Sequence, residues 1–207
     1  MFFYIALQFI VLIFAITVHE FAHGWVAYKL GDPTAKYMGR LTLNPLAHID
    51  PFGTIILPLL LVLLRMPPIG WAKPVPVDFM SLNNPKRDMF WVGIAGPSAN
   101  FALAFILSVI IKTAPFLVQT FIGQVIVLAI IINVILGIFN LIPIPPLDGS
   151  RIISAILPYK YLVFYNKIQP YGFLLIILLL WSGILRELIY GVVLLVVRYL
   201  NVSISLF

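Results

Sequence analysis

The sequence predicts an all-α polytopic membrane protein with about 4–6 hydrophobic segments and a short β-hairpin or re-entrant element. Three observations predict it. The chain has 207 residues of which 62% are hydrophobic and 10% charged. Its mean hydropathy is +1.10. Its apolar residues also fall in runs long enough to cross a bilayer, which no soluble domain needs. There is room for about five such segments and for no separate soluble domain. The expectation is therefore one membrane-embedded domain over 1–207, with a core over about 1–150 and membrane segments over about 171–200.

Segment A, Phe2 to about Tyr28, is uncharged from Phe2 to Val18 and long enough for a hydrocarbon core of ~30 Å; Lys29, Gly31 and Pro33 end it. The start, Met1-Phe2-Phe3-Tyr4, lacks a basic n-region and a small-residue cleavage site, so it reads as a retained helix rather than a signal peptide. Residues Ala35 to Asp50 are polar and turn-rich, and Lys36-Tyr37-Met38-Gly39-Arg40-Leu41-Thr42-Leu43 predicts a short strand or hairpin. Segment B, Ile55 to Leu64, is interrupted by Pro58. Its length as a helix would be only ~15 Å, which suits a re-entrant or tilted element. A Pro-rich loop, Met66 to Arg87, contains Gly70-Trp71-Ala72-Lys73-Pro74-Val75-Pro76-Val77. Segments C, Phe90 to Ile111, and D, Phe116 to Ile142, are spans. Pro143 to Pro170 reads as a loop. The tail, Gly172 to Val197, reads equally as one long helix or a tight hairpin around Arg186-Glu187, two neighbours that neutralise each other.

Loop charge orients the chain. If B re-enters, Lys29 through Arg87 share a face with Arg151, Lys160 and Lys167, and only Lys112 lies opposite. If B spans, the basic residues divide between the two faces. The positive-inside rule favours the first arrangement, which puts the N-terminus outside and the C-terminal ends of A and D at the cytoplasmic face. The net charge of +6 is then the basicity of cytoplasmic loops, with no nucleic-acid partner. The absence of cysteine excludes disulfides and thiolate metal sites.

Within segment A stands His19-Glu20-Phe21-Ala22-His23. Ionisable groups at membrane depth are expensive and mark function. Histidines at i and i+4 share a helix face and can chelate one metal ion, and the Glu after the first can act as general base toward water. A catalytic zinc needs a third protein ligand. Asp148 is one candidate. It follows the uncharged run Ala114 to Leu147, the prolines before it hold the backbone extended, and Gly149 permits a turn that aims it back. His48 is the other, 25 positions beyond His23, with pairing to Asp50 as its structural alternative.

These residues carry a resemblance. His-Glu-x-x-His in a first hydrophobic segment, with Asn140, Pro143, Pro145 and Leu147-Asp148-Gly149 in a later one, resembles the site-2 protease family. Ala95-Gly96-Pro97-Ser98-Ala99-Asn100, Asn44 to Gly53 and Gly70 to Val77 are also similar to its small prokaryotic members. The resemblance implies a zinc-dependent intramembrane endopeptidase with one Zn2+ per chain. His19, His23 and Asp148 would be the ligands, Glu20 the catalytic base, and Asn140 a contact to the substrate backbone. It implies a three-helix core of A, C and D, and a membrane-protein or transmembrane-peptide substrate in the lipid bilayer, without fixing an oligomeric state. The larger members' PDZ or CBS domains have no room here.

The expected location is the plasma membrane, multi-pass, with the site toward the cytoplasmic side, since His19 lies only ~10 Å of helix from Val26. Thr17, Asn100 or Asn140 would supply outer hydrogen bonds. The expected strand at Lys36 to Leu43 and segment B would offer an edge to an unwound substrate. A divalent-cation transporter is the alternative of another class, but segments C and D offer only Ser98, Asn100, Ser108 and Asn133 as polar stations. A catalytically inactive helix-binding scaffold is the third, and the intact Glu20 argues against it.

Overall fold

Four helices long and apolar enough to cross a membrane organise the computed structural model, which describes residues 2–63 and 70–200. Helix α1 (Phe2–Lys29) hides the hydroxyl two residues before its motif, because Thr17 Oγ1 donates to Ile13 O at 2.8 Å. It ends where Gly31 turns the chain at φ 108° and Asp32 takes over. The fully buried Asp32 carboxylate accepts from Thr34 N at 2.9 Å, which starts the one-turn α2 (Thr34–Tyr37), and from Asp78 N at 2.8 Å.

The strand or hairpin expected over Lys36 to Leu43 is not formed, and no strand occurs among the described residues. The amides there turn inward instead. Arg40 N and Leu41 N both reach Ala35 O, at 2.8 and 3.2 Å, and Gly39 N reaches Lys36 O at 3.1 Å. Segment B begins as a π-helical turn, Pro51–Ile56, and continues as α3 (Leu57–Leu63). Its entrance is capped by the Asp50 carboxylate, which accepts from Phe52 N at 3.1 Å and Gly53 N at 2.7 Å. The two pieces together reach ~20 Å, short of a hydrocarbon core. Leu64, and the opening of the Pro-rich loop at 66–69, lie outside the described residues.

Helix α4 (Pro85–Thr113) starts earlier than segment C, with proline at its first position and Asn84 N bonded to Asp88 Oδ2 at 2.8 Å. Helix α5 (Phe121–Asn140) is capped by Thr120 Oγ1, which accepts from Gly123 N at 3.1 Å. Helices α1, α4 and α5 pack on one another. Lipid gives two apolar helices no hydrophobic reason to associate, so close contact and interhelical hydrogen bonds must do it. The buried positions fit that demand: Ala15 on α1, and Gly93, Ala95, Gly96, Asn100 and Ala104 on α4.

The stretch expected as a loop over Pro143 to Pro170 holds two helices, α6 (Asp148–Ile156) and α7 (Tyr159–Asn166). Helix α6 packs on α4. Helix α7 runs through a turn at Gln169–Tyr171 into α8 (Gly172–Trp181), and Tyr159–Trp181 is the fourth run of spanning length. The tail is not one helix. Gly183 at φ 81° ends α8 in the left-handed conformation helices use to stop, and α9 (Ile184–Leu200) follows. Val193, Val196 and Val197 of α9 close on the apolar cluster of Ile111, Val127, Ile130 and Ile131. Arg186 and Glu187 stand 3.7 Å apart on the surface.

Candidate metal centre

Helix α1 turns His19 and His23 toward α4, one helical turn apart, and both are buried. Each ring is held from behind through Nδ1. His19 Nδ1 lies 2.6 Å from Asn100 Oδ1, and His23 Nδ1 lies 2.6 Å from Val92 O. A backbone carbonyl only accepts, so His23 donates from Nδ1. Asn100 spends its Nδ2 on Ala15 O at 3.2 Å and on Asn133 Oδ1 at 2.7 Å, so its Oδ1 is the atom left for His19. Both imidazoles thus carry hydrogen on Nδ1 and present a lone pair at Nε2.

Those lone pairs converge. His19 Nε2 and His23 Nε2 are 3.0 Å apart, and each is 3.0 Å from Asp148 Oδ2. Three acceptors this close in a buried site repel unless a cation lies among them. Two imidazole nitrogens and a carboxylate oxygen, with both rings hydrogen-bonded from behind, could together hold a metal ion, and their chemistry fits zinc.

Asp148 arrives from α6, as that helix's first residue, rather than from the end of α5. Gly149 does not serve as the expected flexible turn. It is helical, and a Cβ there would collide with the carbonyl oxygens of Leu141 and Ile142, so glycine lets α6 press against the exit of α5. Arg151 Nη1, one turn on, lies 3.3 Å from Asp148 Oδ1.

Glu20, next to His19 on α1, accepts at Oε2 from Val75 N at 2.7 Å. Residues 71–75 form an extended strap pinned at alternate positions. Trp71 N bonds Gly53 O at 3.1 Å, Lys73 N bonds His48 O at 3.0 Å, and the buried Arg40 reaches Lys73 O at 2.6 Å and Pro74 O at 3.2 Å. At the strap's far end Asp78 is held below the usual carboxylate range by the Ser81 hydroxyl and the Met80 amide.

His48 does not join the cluster. Its Nε2 donates to Thr42 O at 2.9 Å, and the expected pairing with Asp50 is absent because Asp50 caps Pro51–Ile56. Asn140 is half-buried at the last turn of α5 and donates to Leu136 O at 3.0 Å. Of the three expected outer partners, only Asn100 touches a cluster histidine, since Thr17 and Asn140 bond within their own helices.

Sequence reading missed Gly96 as an individual contact, along with Asn133, Arg151 and the Val75 amide. A Cβ at Gly96 would strike His23 Nε2 and His19 Nε2. The signal was present in spacing: Val92, Gly96 and Asn100 recur every fourth residue on one face of α4, opposite two histidines spaced the same way.

The model of peptidase family M50 matches residues 7–121 and 112–183. The chain is 42% identical to "Putative zinc metalloprotease YwhC" of Bacillus subtilis (strain 168), over 82% of this chain and 78% of that protein. It is 29% identical to "Putative zinc metalloprotease Rip2" of Mycolicibacterium smegmatis, over 85% of this chain and 68% of the relative. It is 27% identical to "Zinc metalloprotease MJ0392" of Methanocaldococcus jannaschii, over 75% of this chain and 36% of the relative. No solved structure matches the chain. With only helices among its described residues, four of them apolar and of spanning length, a His-His-Asp cluster and these relatives, the chain belongs to peptidase family M50, the site-2 proteases, and is a multi-pass membrane zinc metalloprotease.

Proposed function

We propose that this protein is an intramembrane endopeptidase that hydrolyses peptide bonds within or near transmembrane segments of membrane proteins. The observation that carries the reading is the convergence of His19, His23 and Asp148 on one point, with both histidines inside a helix of spanning length. One domain does the work, with α1, α4 and α5 as its core over about residues 1–150 and α8 and α9 as flanking membrane segments. Loop basicity supports a plasma-membrane location with the site opening to the cytoplasm.

His19, His23 and Asp148 would hold one zinc ion through Nε2, Nε2 and Oδ2. Zinc, when bound, supplies Lewis acidity that polarises a scissile carbonyl and brings the pKa of water toward ~7. Glu20 is the general base. With Oε2 tied to the Val75 amide, its other oxygen takes the proton of the attacking water and returns it to the leaving nitrogen. A substrate helix must first be unwound, which frees N–H and C=O groups that lipid cannot satisfy. Asn140, whose Nδ2 is spent on Leu136 O, offers Oδ1 to one such N–H.

The test is cleavage of a labelled transmembrane peptide in liposomes. Wild type cleaves and is stopped by chelation. Glu20→Gln keeps its zinc and loses about 100-fold or more in rate, the span typical of a general base. Asn140→Ala slows cleavage with zinc content intact. Cleavage by Glu20→Gln at the wild-type rate, or metal uptake by the liposomes with no cleavage, refutes the proposal.

A further inference from the structure

We infer that Asn133 is a positioning residue for the metal centre: through Asn100 it fixes the tautomer in which His19 offers Nε2 to zinc. The inference rests on the metal-site reading above but not on any substrate. Two amides buried in a membrane bundle form a chain of hydrogen bonds across α1, α4 and α5. His19 Nδ1 meets Asn100 Oδ1, Asn100 Nδ2 meets Asn133 Oδ1 at 2.7 Å, and Asn133 Nδ2 meets Ala129 O at 2.8 Å. Asn100 and Asn133 are 0% and 1% exposed, so no water competes for these groups.

The chain has a direction, and backbone carbonyls set it. Ala129 O can only accept, so the Asn133 amide must turn its NH2 toward α5's own backbone and its oxygen toward Asn100. That oxygen can only accept, so Asn100 turns its NH2 toward it, and Ala15 O takes the second hydrogen at 3.2 Å. Only Asn100 Oδ1 then remains to face His19, which must hold its hydrogen on Nδ1. Reversing Asn100 alone would set its oxygen against Ala15 O and Asn133 Oδ1, both acceptors, and would present an N–H to His19. The ring would then carry its hydrogen on Nε2, pointing into the cluster, and could not bind metal there. His23 needs no such relay, because its Nδ1 bonds the carbonyl of Val92 directly.

A simple gluing role, in which the asparagines only hold α4 to α5, predicts lost stability and nothing at the histidine. The two accounts separate on variants of Asn133. Asn133→Leu removes the acceptor at similar volume, and Asn133→Asp keeps an acceptor facing Asn100. Zinc affinity is measured by chelator competition on purified protein in detergent. The expected loss is about tenfold or more for Asn133→Leu, within the 10–100-fold range of outer-sphere changes, with most of it recovered in Asn133→Asp.

The chain has 3 histidines, so ring 15N resonances can be assigned by single replacements. In zinc-free protein, at a pH where the rings are neutral, wild-type His19 should show hydrogen on Nδ1, and Asn133→Leu should shift it toward Nε2. Zinc affinity within twofold of wild type in Asn133→Leu, or an unmoved tautomer, overturns the inference. If neither variant folds, the wild-type spectrum decides: a His19 ring with hydrogen on Nε2 overturns it. None of these measurements depends on cleavage. Failure of the protease reading would appear as zinc-loaded wild type without hydrolysis.

Discussion

At the scale of single residues, the centre depends on one atom that is absent. Gly96 has no Cβ, and one added there would enter the space of both cluster nitrogens. Gly96→Ala should lower zinc affinity at least tenfold, since 1.4 kcal/mol of crowding is enough, while alanine favours the helix. Equilibrium dialysis against zinc checks this beside a thermal melt; wild-type affinity with an intact melt would show that the rings yield to the methyl. Asp32 makes the opposite case, a buried carboxylate with two amide partners and no chemistry. Asp32→Ala should destabilise by about 1–3 kcal/mol without changing zinc content, because Thr34 N and Asp78 N lose their acceptor. The meeting of His19, His23 and Asp148 was legible in sequence, because two histidines in an apolar span and a carboxylate closing a long uncharged run are conspicuous. Gly96 and Asn133 were not, because a glycine and an amide look the same whether they face lipid, a helix or a metal.

At the scale of elements, the departures lie in the segments between spans. Lys36 to Leu43 reads as a short strand or hairpin, but a strand needs a partner edge. The neighbouring strap has no amide hydrogen at Pro74, and its Trp71, Lys73 and Val75 amides go to Gly53 O, His48 O and Glu20. Arg40 binds the strap's carbonyls instead of a ladder. The consequence is measurable: Arg40→Ala should keep zinc but cut the turnover number about tenfold, the equivalent of one charged hydrogen bond, by loosening the amide that orients Glu20. Unchanged turnover would show that the strap does not act through Glu20. The Pro143 to Pro170 stretch was read as loop because prolines and scattered charges mask two short helices. Its key residue was still found, since Asp148 is conspicuous whichever element carries it.

At the scale of the whole molecule, hydropathy made α1, α4 and α5 legible to within a few residues, because the bilayer fixes length. The fourth spanning run was not, since Tyr159–Trp181 begins among lysines and tyrosines and is interrupted by Pro170. The charge argument for topology has a direct check, because the chain has 0 cysteines. Lys36→Cys and Lys160→Cys should react with an impermeant maleimide only from the cytoplasmic side, and Lys112→Cys only from outside. Labelling of Lys36→Cys and Lys112→Cys from the same side would overturn the arrangement.

The placement of Asp148 on α6 also sets a clock. His23 is synthesised 125 residues ahead of its partner Asp148. At ~5–20 residues per second the interval is roughly 6–25 s, during which α4 and α5 are made and enter the bilayer. A nascent chain therefore carries the His-Glu-x-x-His helix through membrane insertion without a complete ligand set. The three side chains that converge on one point can meet only once α6 has folded against α4.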